Sequence, residues 1–274
     1  MPGPTSVVMR NLEAWYAAHS DVPGIEVHCD PDITWTLSNG TAWSNSGTSI
    51  RFEAKTVRKR LGQICKRFAR HGRGMGLWVD DDATPADLAV HLKDLGMRCR
   101  KRFPGMRCDL SQLPKIDAPE GIRIIPTPHH SMYLRHPHPY FGPITSAIRR
   151  HELNRLAHLA ARWPGQYFDF VTLAAGNRPV GACSMFLSES VAGFYDAGVL
   201  EKERNQGIGS AMMAHALRFA RERGAKDAVL LASGMGYGMY SRVGFREVCR
   251  VAYWYRSLGR LSAGRPDYRS RGGF

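Results

Sequence analysis

Metal-binding spacing is the first thing this chain lacks. Its six cysteines, at positions 29, 65, 99, 108, 183 and 249, form no Cys-x-x-Cys pair and have no His-x-x-x-His partner nearby. That argues against a metal framework and makes free thiols in a reducing cytoplasm the expected state. Four histidines (His129, His130, His136 and His138) crowd one stretch, but their spacing suits no helical ligand pair. A Pro/His-rich loop is the stronger reading, and no metal is expected. Long apolar runs are missing too: none approaches the roughly 18 residues of a membrane span. The opening Met-Pro-Gly-Pro-Thr lacks the basic-then-apolar layout of a secretory signal. Acidic residues are scarce. Lys and Arg total 38 against 24 Asp and Glu, a formal charge of +14. Such a surface draws in polyanions (nucleic acid, acidic membrane, a phosphorylated cofactor or substrate) without specifying which. The imbalance peaks between Arg51 and Arg73, where Arg51, Lys55, Arg58, Lys59, Arg60, Lys66, Arg67, Arg70 and Arg73 face the single acid Glu53.

What is present is ordinary globular material. With 274 residues, 43% of them apolar and 23% charged, the chain suits one large or two small domains with real cores. Val57, Leu61, Ile64 and Phe68 mark one buried helical stripe, and a solvated face explains the cations opposite better than a dedicated nucleic-acid surface. Met75–Val79 reads as a strand. Thr84 with Pro85 reads as the N-cap and first position of a helix that stops at Gly96. Met106–Leu110 reads as another strand, and Pro114–Glu120 as a linker. Beyond it come a strand at Gly121–Ile125 and a helix from Thr145 to Trp163 with Ile148, Leu153, Leu156 and Leu159 on its apolar side. Strands at Tyr167–Ala174, Val180–Leu187 and Val191–Leu200 are joined by short polar turns, as in antiparallel hairpins. A helix carrying Met213, Ala216, Leu217 and Ala220 ends at Gly224. Ala228–Ala232, apolar throughout, suits a covered strand with a parallel neighbour. A short helix at Gly238–Val243 and a strand at Val248–Tyr255 close the pattern, before a loose Gly/Arg/Ser-rich tail.

The densest chemical signal lies between the third of those strands and the next helix: Val199-Leu200-Glu201-Lys202-Glu203-Arg204-Asn205-Gln206-Gly207-Ile208-Gly209-Ser210. A strand passing through glycines into a helix turns unpaired N–H groups and the positive end of the helix dipole toward one point, which favours an anion. Gly207 and Gly209 carry no Cβ to keep a phosphate away. An ordinary tight turn would account for Gly-x-Gly alone.

The order of hairpin strands, R-x-x-G-x-G, helix, apolar strand and Tyr240-Ser241-Arg242-Val243-Gly244-Phe245 resembles the GCN5-related N-acetyltransferase (GNAT) superfamily. The resemblance spans Gln166–Tyr255, and Gly176-Asn177-Arg178-Pro179-Val180-Gly181 also matches its early hairpin. Leu77-Trp78-Val79, Thr84-Pro85-Ala86-Asp87-Leu88, Gly96-Met97 and Gly105–Leu110 are reminiscent of tandem members, with an unrelated α+β cap as the alternative. That half has no R-x-x-G-x-G. The resemblance therefore implies an α/β (α+β) fold with a mixed, mostly antiparallel sheet flanked by helices, in two tandem copies. Residues 1–118 would form a degenerate N-terminal domain, 119–256 the catalytic domain and 257–274 a basic tail.

It further implies acetyl-CoA as acyl donor, a cytoplasmic enzyme, and roles for particular residues. Main-chain groups of Gln206, Gly207, Ile208, Gly209 and Ser210, with Arg204 and Asn205 beside them, would hold the pyrophosphate. The strand edge at Gly198, Val199 and Leu200 would pair with pantetheine like an added strand. An N–H near Val199 would face the thioester carbonyl. Tyr240 would return a proton to the departing sulfur, since a phenol of pKa about 10 can protonate a thiolate whose thiol lies near about 8.5. Asp196 is the first candidate base, with Glu189, Asp169 and the four histidines as alternatives. Glu201 replaces a common proline, and Asn205-Gln206 replace a glycine-basic pair, so the loop is less basic than usual. The expected acceptor is a small-molecule primary amine. A peptide, protein or tRNA acceptor, or a catalytically silent module binding nucleic acid, are the rivals.

Overall fold

The computed structural model describes residues 4–40, 44–127 and 146–257. The first half comprises α1 (Pro4–Ala17), β1 (Ile25–Asp30), β2 (Ile33–Ser38), β3 (Ser46–Thr48), α2 (Val57–Arg70), β4 (Met75–Val79), α3 (Leu88–Asp94) and β5 (Arg98–Asp109). After β6 (Arg123–Thr127) the same order returns. It runs α4 (Ser146–Arg162), β7 (Tyr167–Ala174), β8 (Arg178–Ser188), β9 (Val191–Val199), α5 (Ile208–Glu222), β10 (Asp227–Leu231), α6 (Tyr237–Arg242) and β11 (Arg246–Arg256). All the strands join one mostly antiparallel sheet, ordered β1-β2-β3-β4-β11-β5-β10-β9-β8-β7-β6. Among the described strands only β3–β4 and β9–β10 pair in parallel, at matching places in the two halves.

The centre of the sheet is crossed. β5, the last strand of the first half, pairs with β10 and β11, while β11, the last strand of the second half, pairs with β4. Side-chain alternation along these strands divides the core by face. On β8, Cys183 and Met185 join a cluster beneath α5, whereas Phe186 joins α1 and α4 on the other side. On β11, Ala252 and Trp254 pack with α2, while Val251 and Tyr253 turn toward α1. Helix α1 thus lies across the seam between the halves.

The anticipated helical stripe of α2 is buried at Val57, Leu61, Ile64 and Phe68. Several of its cations are neutralised by neighbours. Arg60 bonds Asp32 (2.7 Å) and Asp30, Arg67 bonds Glu26 (2.8 Å), and Arg58 bonds Asp94 (2.6 Å). One expected cap fails. Helix α3 starts at Leu88, because Thr84 is tied elsewhere: its N–H donates to Ile50 O (3.2 Å) and its hydroxyl to Phe52 O (3.1 Å). The Ile148 side chain, the four clustered histidines and the tail beyond residue 257 lie outside the described residues. All six cysteines carry free thiols. Among the described residues no helix is long and apolar enough to cross a membrane.

Candidate active site

Strands β9 and β10 pair only from Val191 to Gly193, opposite Asp227 to Val229, and then separate. Just beyond, the β8–β9 register slips between Ala182 and Ser184, so Asp196 and Ala197 oppose the single Cys183. This is a β-bulge, with Asp196 at φ +51°. Past the bulge, Leu200 N–H donates back to Val180 O (2.8 Å). By strand alternation Val199 therefore presents its main chain to the opposite, open edge. Its carbonyl accepts Arg204 Nε at 3.1 Å. Arg204 is thus fixed at the mouth of the loop, and of the three strand residues at issue it is Val199 whose N–H faces the opening.

The loop then delivers α5. Gly207 is its N-cap at φ +77°, a left-handed conformation that disfavours any residue with a Cβ, and no side chain caps the helix. The first helical bond is Ala211 N–H to Gly207 O (3.0 Å), which leaves the preceding donors of the first turn for a ligand. A Cβ on Gly209 would stand 3.6 Å from Val199 and 3.9 Å from Met239. There is room here beside the main chain. The residues present therefore suit an anionic pyrophosphate, even with Asn205 and Gln206 in place of more basic ones.

Next to this cleft lies a cavity of about 230 Å³ between the halves, lined by Asp196 and Tyr240 together with side chains of α1, β4, β5 and α4. Two charged residues sit on the buried stripe of α4, since Glu152 and Arg155 share a face with Leu156 and Leu159. Arg155 Nε bonds Glu152 Oε2 at 2.6 Å and its Nη2 lies 3.7 Å from Asp196 Oδ2. Its Nη1 meets His19 Nε2 at 3.1 Å, while His19 Nδ1 meets Trp15 O at 2.7 Å. Arginine only donates and a carbonyl only accepts, so His19 is the neutral tautomer protonated at Nδ1. Burial, reinforced by Arg155, lowers its pKa to about 3. Burial also raises Asp196 to about 6; Arg155 opposes the shift, while Glu152 and Asp169 add to it. Burial works against the charge on Arg155, yet Glu152 and Asp196 keep its pKa above the ordinary value.

The fold brings Asp196 and Tyr240 to one cavity, with the Gly198–Ser210 segment running from it to α5. Tyr240 is buried and packs edge-on against Phe245, with ring centroids 5.8 Å apart. Two of the alternative bases do not line this cavity. Asp169 is wholly buried, its Oδ1 accepting from Tyr167 (2.7 Å) and Ser184 (2.6 Å). Glu189 sits in the turn between β8 and β9, near the paired end of β9. Sequence reasoning missed Glu152, Arg155, His19 and the α1 aromatics. The signal for two of them was legible: Glu152, Arg155 and Leu159 fall at i, i+3 and i+7, placing charge on an apolar face.

Residues 132–245 match the family model described as Acetyltransferase (GNAT) family. The chain carries a GNAT acetyltransferase domain. Solved GNAT structures resemble nearly its whole length. The GCN5-related N-acetyltransferase from Kribbella flavida is 20% identical, with 93% of this chain and 97% of that one covered at a TM-score of 0.66. A tandem GNAT protein from the clavulanic acid biosynthesis pathway is 12% identical, with 95% and 91% covered at a TM-score of 0.64. The GCN5-related N-acetyltransferase from Sphaerobacter thermophilus is 15% identical, with 93% of each chain covered at a TM-score of 0.59. At these identities the likeness is one of fold. No curated protein matches the sequence. The GNAT family uses acetyl-CoA, and among the described residues no cluster of His, Cys, Asp and Glu could hold a metal ion.

Proposed function

We propose that this GNAT protein acetylates the primary amine of a small molecule by direct attack in a ternary complex. The observation that carries the reading is the shared cavity. Asp196, aimed by the bulge, and Tyr240, from α6, face one cavity beside the strand end that leads to the glycine loop. Acetyl-CoA supplies an activated acetyl thioester. Main-chain donors from Gln206 to Ser210 would bind its pyrophosphate, with Arg204 and Asn205 alongside, and the Val199 N–H would stabilise negative charge on the carbonyl oxygen. Asp196 would take a proton from the incoming ammonium, and Tyr240 would give one to the departing sulfur.

The recurrence of one element order on either side of Pro114–Glu120 supports reading the chain as two tandem units. In the first, Ser49–Thr56 leads into α2 without a glycine loop, so its contribution would be the acceptor wall rather than a second donor site. A wall supplied by both units also favours a compact acceptor over a peptide, protein or tRNA. Calorimetric titration with acetyl-CoA tests the cradle: Gly209→Glu, which places a carboxylate among the phosphate donors, is expected to weaken binding about tenfold or more. Equal affinity in both proteins would show the cradle to be wrongly placed.

A further inference from the structure

Among the described residues, the charges that line the acceptor cavity do not balance: two carboxylates face it, Glu152 and Asp196, against one guanidinium, Arg155, and a neutral His19. Arg155 occupies Glu152 Oε2, but Glu152 Oε1 is buried and meets no donor among the described residues. Glu152 as a whole is 5% exposed. Its Oε1 lies near Ser44, which lines the cavity: a Cβ built on Gly40 would stand 2.8 Å from the first and 3.0 Å from Ser44 Oγ. A buried carboxylate oxygen without a donor is costly unless something supplies one.

Much of the remaining wall is aromatic, and those rings are firmly held. Trp15 stacks on Tyr195 at 4.6 Å and on Tyr167 at 5.8 Å between ring centroids. Trp78 Nε1 donates to Tyr16 Oη (2.7 Å), and Tyr195 Oη donates to Asn11 Oδ1 (2.6 Å). With the Trp78 N–H and the Tyr16 and Tyr195 hydroxyls engaged, these side chains present apolar aromatic surface, which attracts a cation and the hydrocarbon attached to it; Arg155 already lies over the Trp15 ring at 5.8 Å. A volume of about 230 Å³ suits a ligand below drug size.

We infer that the acceptor is a compact monocationic amine with an apolar body and no acidic group, and that Glu152 is the residue that selects it. The assignment of that amine as acceptor rests on the acetyltransferase reading; the preference for a cation rests on the cavity alone. The protonated amine restores charge balance on binding. Asp196 then accepts one proton, the freed lone pair forms the N–C bond, and the C–S bond breaks. The second proton passes by way of Tyr240 to the sulfur. The products are a neutral amide and a free thiol, and Asp196 returns its proton to water. The amide no longer balances the cavity, which favours its departure.

Calorimetric titration of the full chain without acetyl-CoA tests this with three probes of one skeleton. Binding of 2-phenylethylamine is expected to be about 10- to 100-fold tighter than that of 2-phenylethanol, its neutral counterpart, or of phenylalanine, which adds a carboxylate. Equal binding of amine and alcohol, or a preference for the amino acid, overturns the inference, and that comparison needs no variant. Glu152→Gln should erase most of the amine's advantage while acetyl-CoA affinity stays at the wild-type value; an undiminished advantage overturns the role of Glu152. Acetyl-CoA-dependent thiol release separates the two readings. Release with peptides or acidic amines but not with 2-phenylethylamine overturns the inference and leaves acetyl transfer standing. Absence of acetyl-CoA binding overturns the transferase reading, while the amine-against-alcohol comparison still decides the cavity's preference.

Discussion

Asp196 suits the proposed role of base because opposing influences meet on it. Burial and the carboxylates of Glu152 and Asp169 push its pKa up, Arg155 holds it down, and it settles at about 6. A carboxylate in that range is mostly ionised at neutral pH yet binds a proton more readily than an exposed one. Turnover at saturating acetyl-CoA is therefore expected to fall as pH drops through about 6. His19 stays neutral over that range, while Arg155, Tyr167 and Tyr195 keep one charge state because their pKa values are raised. Asp196→Asn should reduce turnover by about 10²- to 10⁴-fold and abolish that acidic limb, as a stopped-time thiol assay across pH would show. The same variant should be more heat-stable than wild type at pH 7.5, with the gap closing toward pH 4. A carboxyl whose folded pKa exceeds its unfolded value makes the native state lose stability as pH rises between the two. Tyr240→Phe should lower turnover without moving the acidic limb, because the proposed role of the phenol is to give a proton rather than take one.

At the scale of elements, the position of α1 matters most, because it supplies Trp15 and Tyr16 to the cavity. It docks through Asn11, whose Nδ2 donates to Val191 O at 3.0 Å and whose Oδ1 receives the Tyr195 hydroxyl. A Cβ on Gly193 would lie 1.7 Å from that Oδ1. Gly193→Ala should therefore lift α1 from β9, costing about 1–3 kcal/mol by thermal or urea denaturation and weakening acceptor binding more than acetyl-CoA binding. Much at this scale was legible beforehand. The stripe of α2, the hairpins of β7–β9, the covered strand β10 and the glycine-led start of α5 all follow from periodicity and turn chemistry. Tyr240 was singled out through the family resemblance and Asp196 through its place on the strand before the loop; both line the cavity. The start of α3 was misjudged because the backbone and hydroxyl of Thr84 are claimed by Ile50 and Phe52, a tertiary preference that outweighs capping. The cavity was not legible either: its lining runs from Leu12 to Tyr240, and no local pattern announces contacts across such separations. The segment before α2 was left unassigned, although Val8, Met9, Leu12, Trp15 and Tyr16 repeat with helical spacing.

For the molecule as a whole, the crossed centre of the sheet governs what can be separated. Residues 119–257 contain the glycine loop, Asp196 and Tyr240, yet β10 and β11 would lose the strand that lies between them. That fragment is expected to lack a cooperative thermal transition and near-ultraviolet circular dichroism, whereas mixing it with residues 1–118 should restore both. A fragment that melts cooperatively alone would show the crossing to be dispensable. The arrangement also fixes a schedule for synthesis. Strand β5 leaves the ribosome long before either partner, because its neighbours begin at Asp227 and Arg246. Until then β4 and β5 wait with bare edges, the condition under which chains associate wrongly. Nascent copies of this protein should accordingly depend on holding chaperones until β11 has been made.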